Sequence, residues 1–158
     1  MQEVTIVIPN YNGRKLLENC LETLEKQTVR DFKVLVIDNG STDHSTDLQS
    51  DSLDLEMIAL PENLGFCGAV NLGISRTKTP YLILLNNDTE VDEHFVEALL
   101  DAVKRSERIF SCGAQMIDYH HRELLDNAGD LYTAMGWAVA RGKGRPCSEF
   151  DRPSNVFS

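Results

Sequence analysis

Apolar and polar positions alternate along most of the chain in two rhythms, one of period two and one helical. Val4-Thr5-Ile6-Val7-Ile8 is a β-branched run stopped by Pro9 and predicts a buried strand. Leu16, Leu17, Cys20, Leu21 and Leu24 recur at helical spacing and predict an amphipathic helix over 14–26. Phe32 to Ile37 predicts a second strand, running into the turn cluster Asp38-Asn39-Gly40-Ser41-Thr42-Asp43 and then a short helix. Leu55 to Leu60 predicts a weaker third strand stopped by Pro61. Asn63 to Phe66 reads as a loop, and Cys67 to Ile74 as a helix of small residues suited to close packing on a sheet. Tyr81 to Leu85 is unbroken and apolar, which predicts a central strand buried on both faces. Phe95, Val96, Leu99, Leu100 and Val103 repeat the helical stripe, and 109–117 predicts one more strand. After Asp118 the pattern weakens. The Gly- and Pro-rich basic stretch 141–146 predicts a mobile loop, and 155–158 begins another apolar segment.

Strands and helices alternating about every 25 to 30 residues predict an α/β fold, a mostly parallel sheet with helices on both faces. In such sheets ligands bind beyond the carboxyl ends of the strands. Three polar clusters fall there: 9–12, 38–43 and 86–89. Each taken alone is explained by an Asx-turn or a helix cap. Three of them at neighbouring strand ends favour a ligand site.

Composition narrows the class. The 158 residues make one ordinary domain, with 42% hydrophobic and 25% charged residues, which excludes disorder and collagen-like structure. Fifteen Lys and Arg against 25 Asp and Glu leave a net charge of −10, which opposes nucleic-acid binding. A phosphate ligand would then need a metal ion, a helix N-terminus or local cations. No apolar run is long enough to span a bilayer, and Met1-Gln2-Glu3-Val4 does not open a secretory signal. Cys20, Cys67, Cys112 and Cys147 show no CxxC or CxxH spacing, so reduced thiols are expected rather than disulfides or zinc. No GxGxxG, GxxxxGK[ST] or GxSxG is present, which disfavours dinucleotide-binding, P-loop and α/β-hydrolase readings.

The segments 4–12, 34–43, Asn63-Leu64-Gly65-Phe66 and Leu84-Leu85-Asn86-Asn87-Asp88-Thr89 resemble family 2 glycosyltransferases over residues 3 to about 118. More narrowly they resemble the rhamnosyltransferase-like branch that builds cell-surface polysaccharide. The resemblance implies a GT-A fold, a UDP- or dTDP-type nucleotide-diphosphate-sugar donor, and Mg or Mn as divalent cation. It implies inverting transfer to a saccharide or lipid-linked saccharide acceptor, at a cytoplasmic location that includes the inner face of the membrane. By position, Asp38 resembles the carboxylate accepting from a pyrimidine N3–H, since an ionised Asp only accepts. Pro9 and Tyr11 resemble residues lining base and ribose. Asp88 resembles the last carboxylate of a DxD motif, the metal ligand. Asn86 stands where that motif has its first Asp, so one carboxylate rather than two would hold the cation, with Asn86 on the ribose. Asn71 and Asn87 complete the expected donor contacts, Asn71 with close packing on the sheet as its alternative.

The resemblance also implies a base to take the acceptor proton. No such carboxylate is found; Glu149 and Asp151 do not match its segment, and the base is expected beyond Ser158. The chain accordingly reads as a truncated, donor-binding portion: a nucleotide-sugar-binding core over 1–118 and the start of an acceptor side over 119–158. Two alternatives stay open. A sugar nucleotidyltransferase would carry a Gly-rich, Arg-bearing loop after the first strand, where Asn10-Tyr11-Asn12-Gly13 stands. A non-catalytic module would expose an apolar face and self-associate through it. Minor readings are a surface hairpin at His120-His121, exposed helix starts at His44 and His94, and a core position for Trp137 over an acceptor groove.

Overall fold

The computed structural model describes residues 2–156. The apolar start expected at 155–158 lies partly outside them. The chain divides into two compact units, Met1–Val96 and Glu97–Ser158. Residues 97–118, expected with the donor-binding core, fall in the second unit.

The first unit is a four-stranded parallel sheet in the order β3-β2-β1-β4, from Val4–Asn10 (β1), Phe32–Asp38 (β2), Asp54–Ala59 (β3) and Tyr81–Leu84 (β4). β1 and β2 are the central pair and are buried almost throughout, which is why they read as continuous apolar runs. The run 81–85 misleads: among the described residues β4 pairs with β1 alone, and its residues are half-buried or exposed, Leu84 at 51%. Composition reports what a strand is made of, but its place in the strand order is set by connections elsewhere in the chain.

Helix α1 (Arg14–Leu24) buries Leu17, Cys20, Leu21 and Leu24, while Leu16 stays 50% exposed, so its apolar stripe is one column narrower than expected. Helix α2 (Gly65–Arg76) packs its Ala69 and Gly73 against Val7, Leu35 and Ile37. The other face, with Ile6, Ile8, Val34 and Val36, is equally closed to solvent. The chain moves outward from β1 to β2 and returns from β3 to β4. Right-handed crossovers in opposite directions put α1 on the face opposite α2. Helices therefore cover both faces, as expected. Each fully buried Leu or Ile stabilises the unit by about 1.5–3 kcal/mol.

Gln27, 2% exposed, closes this unit below α1. Its Nε2 donates to Asp92 O (2.7 Å) and Thr23 O (3.4 Å), and its Oε1 accepts from Val96 N (3.0 Å). Gln27→Ala should lower unfolding free energy by about 2 kcal/mol, because the buried Val96 N–H and two partly buried carbonyls lose their partner. Urea unfolding would read this as a lower midpoint at unchanged slope; a midpoint equal to the parent's would show the bonds to be dispensable.

The second unit begins with the remainder of helix α3 (Phe95–Lys104) and continues in short antiparallel pairs: Met116–Ile117 (β5) with Leu125–Asn127 (β6), and Asp130–Tyr132 (β7) with Ala138–Ala140 (β8). The strand expected over 109–117 is reduced to β5; Phe110 is 99% exposed, so this apolar segment has no layer to pair with. Trp137 lies in the β7–β8 turn at 69% exposure, not in a core. Residues 141–145 are an ordered turn rather than a free loop. Gly144 N donates to Leu125 O and Arg145 N to Gly142 O, and the Arg141 and Arg145 guanidinium groups cover the Phe150 ring. His120 and His121 sit in a turn whose amides both donate to Asp118 Oδ1. Those amides, His121 first, hold the Asp118 carboxyl below its usual range. All four cysteines are free thiols. No helix among the described residues is long and apolar enough to cross a membrane.

Candidate functional site

An asparagine stands at the end of β1 and in the loop after each of the other three parallel strands, and these loops border one cavity of about 380 Å³. Asn10 closes β1, Asn39 follows β2, Asn63 follows β3, and Asn86, Asn87 and Asp88 follow β4. Pro9, Tyr11, Gly65 and Phe66 complete the lining. Tyr11 and Phe66 are 51% and 60% exposed, so two aromatic faces border an otherwise amide-rich wall. Asp88 is the one formally charged side chain among these residues.

The loops are held by asparagine side chains. Asn39 Nδ2 donates to Asn63 Oδ1 (2.8 Å) and Gly65 O (3.1 Å), and its Oδ1 accepts from Leu64 N (2.8 Å). Asn63 Oδ1 also accepts from Gly65 N (2.8 Å). Gly65 has φ +75°, a left-handed conformation that glycine takes without strain, and the helix starts there with no side-chain cap. Gly65 and Phe66 are therefore the first turn of α2, not the loop expected from sequence. Their backbone enters the cavity wall.

Of the expected site residues, Pro9, Tyr11, Asn86, Asn87 and Asp88 come together on this wall. Asp38 stands behind it: it is 1% exposed, Oδ2 accepts from Asn10 Nδ2 (2.8 Å) and Oδ1 from Ser41 N (2.9 Å). Asn71 is exposed on α2 and does not line the cavity. Asp88 is not the cap of the following helix; Asp92 Oδ1 accepts from His94 N instead (2.9 Å). Asn10, Asn39, Asn63, Gly65 and Phe66 also line the cavity. Asn10 and Asn39 belong to the polar clusters expected at a ligand site, and Asn63, Gly65 and Phe66 to a motif of the resemblance, though none of the five was assigned a role of its own.

Cys20 lies under the same loop, its Sγ donating to Asn86 O (3.8 Å). Burial pushes its thiol up to about 11, so it is no nucleophile at neutral pH. No group of three or more His, Cys, Asp or Glu able to hold a metal occurs among the described residues. The donor set of the cavity is one carboxylate and several amide oxygens. That set suits a hard cation which keeps waters and takes further oxygens from a ligand, and does not suit zinc.

A family model described as Glycosyl transferase family 2 matches residues 5–144. The O-antigen chain rhamnosyltransferase RfbN of Salmonella typhimurium is 29% identical over 123 residues, covering 72% of this chain and 37% of its own length. S. aureus TarS 1–349 in complex with UDP-GlcNAc superposes with a TM-score of 0.57 at 21% identity, over 65% of this chain and 32% of that one. The mannosyltransferase PcManGT from Pyrobaculum calidifontis, in complex with GDP-Man and Mn²⁺, gives 0.58 at 21% identity, over 65% and 32%. At these identities the two structures are a likeness of fold. The chain spans between 14% and 39% of the length of the curated relatives it matches.

Proposed function

From a chain that belongs to glycosyl transferase family 2 and carries its mostly parallel GT-A sheet, we infer a donor site for a nucleotide-diphosphate-sugar at the four strand ends. One observation carries this: a cavity bordered by two aromatic rings and floored by amides, with a single carboxylate at one side. Tyr11 and Phe66 offer faces for a base, and Pro9 a further apolar surface. Asn86 and Asn87 offer amide groups to the ribose and its neighbours in the ligand. Asp88 would hold Mg²⁺ or Mn²⁺, which when bound neutralises the diphosphate and eases its departure as a leaving group. Asp38 has two of its lone-pair sites taken by Asn10 and Ser41. A pyrimidine N–H would have to reach the others from behind the wall.

The activity that follows is inverting sugar transfer in cell-surface polysaccharide synthesis, on the cytoplasmic side, to a saccharide or lipid-linked acceptor. The rhamnosyltransferase relative and the UDP-GlcNAc and Mn²⁺ complexes of the fold neighbours support that reading. Calorimetric titration of the chain with UDP and dTDP, each with Mn²⁺ and with chelator, tests it. Saturable binding that weakens on chelation is expected. Absence of heat from either nucleotide in the presence of Mn²⁺ would sink the donor-site reading.

A further inference from the structure

Asn10 and Asp38 are register partners at the ends of the two central strands, so their side chains leave the same face and meet at 2.8 Å. At neutral pH a carboxylate only accepts, so Asn10 must turn its Nδ2 toward Asp38. Ser41 N–H occupies the other carboxylate oxygen at 2.9 Å. With its nitrogen committed, Asn10 directs Oδ1 the opposite way, where it accepts from Asn87 Nδ2 at 2.7 Å. Asn10 is 2% exposed, so water does not compete for these bonds. The backbone closes on the same link. A Cβ at Gly13 would lie 2.3 Å from Asn87 Nδ2 and 3.0 Å from Asn10 Oδ1.

We propose that Asp38 sets, through Asn10, the polarity of the Asn87 amide, so that the cavity meets an amide oxygen at that point. Asp38 and Asn10 are positioning residues, and Asn87 is the group that faces the ligand. The ligand group that fits there is a hydrogen-bond donor, a hydroxyl or an imide N–H. Only that last assignment rests on the donor-site reading; the relay itself is a property of the folded chain.

The relay is reversible by design of its chemistry, which gives the test. Asp38→Asn keeps the Ser41 bond through its oxygen and offers an N–H to Asn10. Both following amides can then turn end for end. This variant should keep its Tm within about 3 °C of the parent while UDP affinity falls about tenfold, since an NH₂ now faces the cavity. Asn87→Asp places an acceptor at each end of Asn10, and one bond must fail. Its Tm should drop by about 6 °C. The double variant Asp38→Asn/Asn87→Asp satisfies every group with the chain reversed and keeps the net charge. It should regain most of that loss and bind UDP more tightly than Asp38→Asn alone. Asp38→Ala in the Asn87→Asp background removes the same charge but supplies no N–H, and should not rescue. Tm losses that simply add in the double variant, or equal rescue by alanine, would overturn the proposal. A parent chain that does not bind UDP would remove the donor-site reading and leave the Tm comparison to decide the relay.

Discussion

Asp88→Ala should raise the dissociation constant for UDP in the presence of Mn²⁺ by about 100-fold, close to 2.8 kcal/mol. The size follows from the lining. Asp88 is the one charged group among the residues around the cavity, and without it only neutral amide oxygens face a cation. The sign reverses when metal is withheld. In chelator the wild-type carboxylate faces the diphosphate with nothing between them, so its removal should leave affinity unchanged or improve it. Asp88→Asn keeps the shape and should behave like the alanine variant, which separates charge from packing. Paired titrations with Mn²⁺ and with chelator decide the matter. An equal loss in both conditions would mean that Asp88 acts on the ligand or the loop directly and holds no cation.

Gly73→Ala should cost about 2 kcal/mol of stability despite alanine's better helix propensity. An added Cβ would sit 2.3 Å from Val7 Cγ1, with Val7 Cγ2 and Ile37 Cγ1 at 3.3 and 3.4 Å. Val7 is fully buried and β-branched, so it has no free rotamer to retreat into. Overpacking of about 3 kcal/mol is opposed by about 1 kcal/mol of helix propensity. Val7→Ala clears the space, so the double variant Val7→Ala/Gly73→Ala should lose at least about 1 kcal/mol less than the sum of the two singles. Urea unfolding of the four proteins measures this. Strict additivity would place the two side chains out of contact and remove the close approach of α2 to β1.

β1, β2 and α1 were legible because burial on both faces, or along one stripe, imprints itself locally as an apolar run or a period. β4 looked the same as β1 in composition yet pairs with one strand among the described residues, since strand order depends on the returning connection through α2. The segment 109–117 looked like a strand because Ile109, Phe110, Met116 and Ile117 are strand formers. A strand also needs a partner, and only Met116 and Ile117 find one in β6. Trp137 misled for a similar reason: size favours burial, but a two-stranded ribbon has no interior. In the site, the asparagine clusters at strand ends were visible as clusters. That Asp38 would stand behind the wall and Asn10 on it was not. Neighbouring strands bring the two into register across 28 positions of sequence.

Two helix starts, those of α1 and α3, borrow their caps from afar. Gly13 before α1 has no side chain to offer, and Arg14 N–H donates instead to Asp43 Oδ2, beyond β2 (2.8 Å). The Ser45 hydroxyl, with the Arg14 and Ser45 amides, holds the Asp43 carboxyl below its usual range and ready to accept. Gln27 serves Val96 in the same way from 69 positions upstream. An isolated helix of the length of α1 is marginal in water. Its cap arrives only when β2 has paired with β1 and delivered the loop that follows. The stability of α1 is thus tied to strand pairing, through a contact that closes a long stretch of chain, and contacts of that kind form more slowly than local ones.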